Sequence, residues 1–347
     1  MKMLHLKQLF FKHYSKFFSM NTVLKITTLF SLLFLGFTHG ATAQNVDYDP
    51  EFFAANYFEL SNLEIPISEI YPGAEKRTGI PALSAPVFEA SLQADQWLDA
   101  KDMVLGITYN GIAKAYPIRI ISWHEVVNDN FGGENILVTF SALTYSGQAY
   151  KGTDAGVSAM VFNNNTLFYD NATRSLWGQM TGQAVSGDLA GTYLDKVPVV
   201  YTTWKEWTLM HPETSVLSMA NSEGIDYSKA AYSEFENTVE LPFPVSYTNK
   251  KLPLKSKVIG LEVDGKYKAY PFSMLKSSNT VVEDYFNGMK VRISFNAENE
   301  SFVMTDEDGQ LLPAVVSYWY AWYAYHTDTK IYGFLPDRTP LALLEED

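Results

Sequence analysis

Residues 104–117 (VLGITYNGIAKAYP) return as residues 258–271 (VIGLEVDGKYKAYP), with seven identities in fourteen positions. A chain that holds two similar segments must bury two similar faces, and each copy serves as a control for the other. What both keep belongs to the scaffold. What only one has is where function is to be sought. The likeness continues at 126–133 (VVNDNFGG) and 281–288 (VVEDYFNG), and at 136–140 (ILVTF) and 291–295 (VRISF). A third block matches Pro198, Trp204, Trp207, His211 and Thr214 with Pro313, Trp319, Trp322, His326 and Thr329. The offset falls from 155 to 115 between the second and third blocks, so about forty residues between Tyr145 and Val197 belong to the first copy alone. A period this long describes tandem units rather than a solenoid.

Turn chemistry gives the unit its form. Asn110-Gly111 and Asp264-Gly265 are hairpin pairs suited to type I′ turns, flanked by strand-like residues. Pro117 and Pro271 stand where short helices can begin, over 118–122 and 272–276. A second hairpin follows, then the Trp-x-x-Trp-x-x-x-His spacing of a helix with its large residues on one face. The expected fold is α+β and β-rich: two tandem hairpin-helix-hairpin-helix repeats related by a pseudo-two-fold axis. Repeat one spans 99–217 and repeat two 258–335. An extended arm (44–98) precedes them, a proline-bearing connector (218–257) joins them, and an acidic tail (336–347) ends the chain.

The first 43 residues read as a secretory leader. The apolar run ITTLFSLLFLGF (26–37) follows Lys25 and precedes Ala41-Thr42-Ala43, an A-x-A cleavage pattern. Met20 offers a more compact start. The run is shorter than the roughly 20 residues of a membrane span, so the expectation is a periplasmic or secreted protein without a permanent membrane anchor. The whole chain has 26 basic and 39 acidic side chains; removing the five lysines of the leader leaves a net charge of −18. Such a charge repels nucleic acid. The absence of cysteine removes thiol catalysis, zinc–thiolate sites and disulfides.

Three histidines remain after the leader, and two of them, His211 and His326, are duplicates and so belong to the scaffold. His124 has no equivalent: Trp123-His124-Glu125 stands where the second copy has SSNT (277–280). Four of the seven tryptophans pair off between copies, leaving Trp97, Trp123 and Trp177. The extra segment gathers Tyr169, Asp170, Ser175, Trp177 and Gln179 between glycine turns, the make-up of a functional loop. His124-Glu125-Val126-Val127-Asn128 lacks the second histidine of the zinc peptidase pattern HExxH. Elbow, P-loop and dinucleotide fingerprints are missing as well.

These residues, with GIPAL (79–83), Ala115-Tyr116-Pro117, WHEVVND (123–129), Gly132-Gly133, Tyr169-Asp170 and Ser175-Leu176-Trp177, resemble the bacterial family called domain of unknown function 3179. The resemblance covers most of 79–335. It implies a fold and a site location rather than a reaction, because the family's activity is unassigned. It also implies a Tyr-Cys-Pro-Leu-Cys motif after the second strand, where this chain has Phe140-Ser141-Ala142-Leu143-Thr144. Hydroxyls at Ser141 and Thr144 can preserve a hydrogen-bonding pocket but not a dithiol reaction.

Two functions follow. One is an extracytoplasmic binding or scaffold protein for a small molecule or protein, with a pocket built from Trp123, His124, Asn128, Ser141, Thr144, Tyr169, Ser175, Trp177 and Gln179. The other is a hydrolase or metal-dependent enzyme using His124 with Glu125, Asp129 or Asp170, one imidazole oriented by a carboxylate being the least that proton transfer needs. Cofactor and metal content stay open. If the paired tryptophans face inward, Tyr320 and Tyr323 face outward and offer a surface for self-association.

Overall fold

The computed structural model describes residues 60–74, 79–152, 154–221, 224–276 and 281–334; the leader and the acidic tail lie outside them. The arm contributes strands β1 (Ile70–Pro72) and β2 (Phe88–Ala90) and the single turn α1 (Ser91–Ala94). Next come β3 (Met103–Tyr109), β4 (Ile112–Pro117), α2 (Ile118–His124), β5 (Val126–Phe131), β6 (Glu134–Ser141) and β7 (Ser146–Lys151). The extra segment supplies β8 (Ala155–Phe162), β9 (Asn165–Asp170), β10 (Leu176–Gly178), β11 (Ala184–Ser186) and β12 (Lys196–Val197). It is followed by β13 (Val200–Thr203), α3 (Trp204–Met210), β14 (Ser215–Leu217) and, in the connector, α4 (Ser233–Glu236). The remainder forms β15 (Lys257–Val263), β16 (Lys266–Pro271), α5 (Phe272–Leu275), β17 (Val282–Phe286), β18 (Met289–Asn296), β19 (Ser301–Thr305), β20 (Val315–Tyr318), α6 (Trp319–Tyr325) and β21 (Lys330–Ile331). The fold is α+β with strand far in excess of helix.

Local chemistry explains the element boundaries. Asn110 and Gly111 both have positive φ (50° and 74°), as do Asp264 and Gly265 (48° and 69°), which is what a type I′ hairpin requires. Pro117 and Pro271 take the N-cap positions of α2 and α5, one residue earlier than the first helical turn, with φ near −60°. Val126-Val127 is strand, so the HExxN segment breaks at Glu125 instead of continuing as a helix.

Among the described residues four sheets result, in the orders β1-β8-β9-β10-β11, β12-β7-β6-β5, β17-β18-β19-β13-β3-β4-β14-β2 and β20-β15-β16-β21. The eight-stranded sheet draws on both ends of the chain: β13 pairs with β3 and also with β19, Tyr201 facing Phe302. At another junction the Tyr318 amide, ending β20, donates to the Thr144 carbonyl beside β7 (2.9 Å). One apolar core therefore contains Leu105, Tyr116 and Phe140 together with Ile259, Tyr270 and Ile293. The described part of 60–98 lays β1 on β8, bridges Leu83 to Val127, and pairs β2 with β14.

The tryptophans explain two glycines. A Cβ on Gly106 would lie 2.2 Å from the Trp207 ring, and one on Gly260 would lie 2.2 Å from the Trp322 ring. Each indole covers bare strand backbone while its Nε1–H donates to a threonine, Thr214 or Thr329, at 2.9 Å. His211 and His326 follow as helix C-caps, tilted against the same indoles with ring centroids 4.1 and 4.2 Å apart.

The outward position expected of Tyr320 is corrected. Tyr320 is fully buried, and its hydroxyl donates to the Leu143 carbonyl (2.7 Å). Tyr323 is half-buried against Trp319. Helix α6 is buried on nearly all sides, because it packs against its own sheet and also against the β6–β7 turn. A helix that is apolar all round behaves so.

Two outcomes follow from this packing. Gly260→Ala should destabilise the protein by about 1–3 kcal/mol by forcing Trp322 off the strand, read as a lower denaturation midpoint in urea with unchanged slope. Burial pushes His326 down to about 3. The unfolded chain thus binds an extra proton over a window from about pH 6.5 down to about pH 3. Stability should be complete above that window and fall as acid is added through it. His326→Phe should flatten the fall of Tm between pH 7 and pH 5; an unaltered fall would contradict a buried neutral imidazole.

Candidate functional site

Helix α2 ends on three consecutive residues that point to different places. Trp123 is nearly buried, and its Nε1–H donates to the Lys229 carbonyl in the connector (3.1 Å). His124 is fully buried, with Nδ1 2.7 Å from the Pro81 carbonyl and Nε2 2.5 Å from the Tyr227 hydroxyl. A carbonyl only accepts, so Nδ1 carries the proton and Tyr227 donates to Nε2. Burial lowers the basicity of His124, and the Pro81 hydrogen bond offsets part of that. Glu125 closes the helix with a left-handed φ of 61°. This turns its carboxylate inward, where it accepts from Thr166 Oγ1 (2.8 Å) and the Tyr232 hydroxyl (2.5 Å). Burial and the adjacent Glu125 carboxylate together raise the Tyr232 pKa well above its ordinary value, so it stays a donor.

Behind Glu125 lies a buried neutral network. Ser141 Oγ accepts from the Thr166 amide (3.2 Å) and lies 3.3 Å from Thr166 Oγ1. Thr144 Oγ1 meets Ser146 Oγ (2.8 Å) and accepts from Asn165 Nδ2 (2.9 Å). Gln179 accepts at Oε1 from Ser146 and Asn165, both at 2.7 Å, and donates from Nε2 to Thr139 Oγ1 and the Ser146 carbonyl. Such a saturated network fixes side-chain positions and offers little to an outside reactant.

The remaining site residues expected from the sequence lie elsewhere. Asp129 is held by Lys114 Nζ (2.7 Å) and the Tyr116 hydroxyl (2.5 Å). The same trio recurs as Asp284, Lys268 and Tyr270. Asn128 clamps the backbone of Ala155 through both amide atoms, at 2.8 Å each. Asp170 organises the turn after β9, accepting from Thr173 and from Trp177 Nε1 (3.0 Å). Burial works to raise its pKa, but these donors outweigh it and hold the carboxyl below its ordinary value. Ser175 joins that turn through Thr173, and Trp177 stacks on Phe168. Tyr169 packs over Gly156 and beneath Arg174. Glu125 and Ser141 thus meet through Thr166, and Thr144 meets Gln179 through Ser146 and Asn165. His124 bonds Pro81 and Tyr227, Asp129 bonds Lys114 and Tyr116, and Asp170 bonds Thr173 and Trp177. Among the described residues, no three His, Asp or Glu side chains gather as metal ligands.

A cleft of about 270 Å³ opens beside α2. Its walls are Asp102, then Ile118, Arg119 and Ser122 of α2, then Phe140, Ala142 and Tyr145 around the β6–β7 turn, and Tyr227 through Tyr232 with Glu236 of the connector. Arg119 is paired with Asp102 (2.8 Å) and Lys229 with Asp226 (3.0 Å). Tyr145, with φ of 55°, bonds the Tyr201 hydroxyl (2.8 Å). Sequence reasoning missed Tyr227, Tyr232, Thr166, Asn165 and Ser146. The usable signal was the apolar spacing of Ile225, Tyr227, Ala231, Tyr232 and Phe235 within a polar connector.

Among the described residues no helix is long and apolar enough to cross a membrane. Neither the curated proteins nor the solved structures give a match to the chain. The family model described as "Protein of unknown function (DUF3179)" matches residues 77–329, which include α2, the β6–β7 turn, the extra segment and the connector. On that match, the chain belongs to the DUF3179 family of proteins of unknown function.

Proposed function

We propose that this protein is an extracytoplasmic small-molecule-binding protein and that the cleft beside α2 is its ligand site. The cleft itself carries the reading: it is a concave space of about 270 Å³ walled by Phe140, Tyr145, Tyr227 and Tyr232, with Arg119, Lys229, Asp102 and Glu236 among its polar groups. Aromatic walls with a few placed polar groups are what a small-ligand site requires. Two cations and two anions balance, which favours a neutral or zwitterionic ligand with an apolar body. The extracytoplasmic location is supported by the leader-like sequence of 20–43.

We also read the chain as two copies of one unit. The matched type I′ turns, the indoles over Gly106 and Gly260, and the two Lys–Tyr–Asp trios support that reading. It places the cleft next to what only the first copy has. The commitment of His124 to Pro81 and Tyr227 favours binding over acid–base catalysis, because a base must have a nitrogen available to substrate.

Native mass spectrometry of protein 44–347, after incubation with an extract of small metabolites, tests the reading. The wild type should retain a ligand. Ala142→Trp, which fills the cleft, should abolish retention, and Arg119→Met should weaken it by about tenfold, the scale of one charged hydrogen bond. Undiminished retention by both folded variants would place the ligand elsewhere.

A further inference from the structure

Residues 225–236 are more than a link. Their backbone bends on itself, Lys229 N–H donating to the Asp226 carbonyl and Glu236 N–H to that of Tyr232. Tyr227, Ala231 and Phe235 are buried and Tyr232 half-buried, while Asp226, Ser228, Lys229 and Ala230 are exposed. The segment is thus pegged to the body by spaced side chains. Its pegs meet the three consecutive residues Trp123, His124 and Glu125 at the Lys229 carbonyl, the Tyr227 hydroxyl and the Tyr232 hydroxyl. Most of the segment also lines the cleft.

We propose that residues 225–236 form a hinged cover over the cleft, latched by Trp123, His124 and Glu125, and that release of Tyr227 and Tyr232 admits the ligand. The proposal rests on the cleft being the binding site. A segment fixed by side-chain pegs opens locally at less cost than a strand bonded along its backbone. The anchors are built for reversible release. His124 keeps its bond to Pro81, and Glu125 keeps Thr166, when the tyrosines leave. Neither buried group is then left wholly without a partner, which is the costly outcome. Water entering the opened cleft can take the place of each hydroxyl.

The cysteine-free chain allows a clean test. Ala142→Cys puts a single thiol in the cleft wall, and the probe is its rate of modification by N-ethylmaleimide. Adding Tyr227→Phe or Tyr232→Phe should speed modification by about tenfold each, the effect of one lost hydrogen bond to a buried group. Amide exchange should rise across 225–236 while β3 and β15 stay protected. Unchanged modification in both folded variants would overturn the cover, as would exchange that rises equally throughout the chain. Tyr227→Phe keeps the test decisive if Tyr232→Phe fails to fold, because it leaves Glu125 untouched. The two readings fail separately. Faster modification without ligand retention would remove the binding site and leave the movable segment. Retention with unchanged modification would remove the cover alone.

Discussion

A carboxylate and an imidazole buried at the end of one helix impose the main constraint on this molecule. Glu125 and His124 cannot be taken from water unless other groups supply the hydrogen bonds that water gave. Each is held from both the body and the connector: Glu125 by Thr166 and Tyr232, His124 by Pro81 and Tyr227. The arm, the extra segment and the connector all converge on α2 for that reason. A left-handed residue at Glu125, about 1 kcal/mol dearer than ordinary helix geometry, is tolerated because it aims the carboxylate at those donors.

The sheets give this arrangement its rigidity. Strand β13 is flanked by β3 on one side and β19 on the other, so segments some hundred residues apart share one sheet and one core. The β6–β7 turn is gripped from a distance by the Tyr318 amide and the Tyr320 hydroxyl. The wall of the cleft formed by Ala142 and Tyr145 is therefore set by the C-terminal part of the chain, and the connector forms the opposite wall.

Much of this was legible in the sequence wherever a residue type has a single use. Asn-Gly and Asp-Gly pairs marked hairpins, prolines marked helix starts, and duplicated tryptophans marked scaffold. Trp123, His124 and Glu125 stand out because residues 277–280, at the matching place in the similar segment, carry no counterpart of them. Their roles do not, because His124 and Glu125 are adjacent in sequence yet face different partners, a matter of one backbone φ that composition does not encode. The connector shows its prolines first, and the hydroxyls of Tyr227 and Tyr232 have meaning only once a buried acceptor lies opposite. Helical periodicity points Tyr320 outward because it assumes one packed face; α6 has packing on nearly every side. Asp129 and Asp170 are visible in the sequence as carboxylates, but their partners Lys114 and Thr173 are not.

The bonds of His124 to Pro81 and Tyr227 make it a buried anchor of α2. Nitrogen-15 NMR of the imidazole measures this directly. The ring should be neutral with its proton on Nδ1, and should stay so as the pH falls below the usual histidine range near 6.5, since burial disfavours the charged form. A ring protonated on Nε2, or one that titrates as an exposed histidine does, would contradict it.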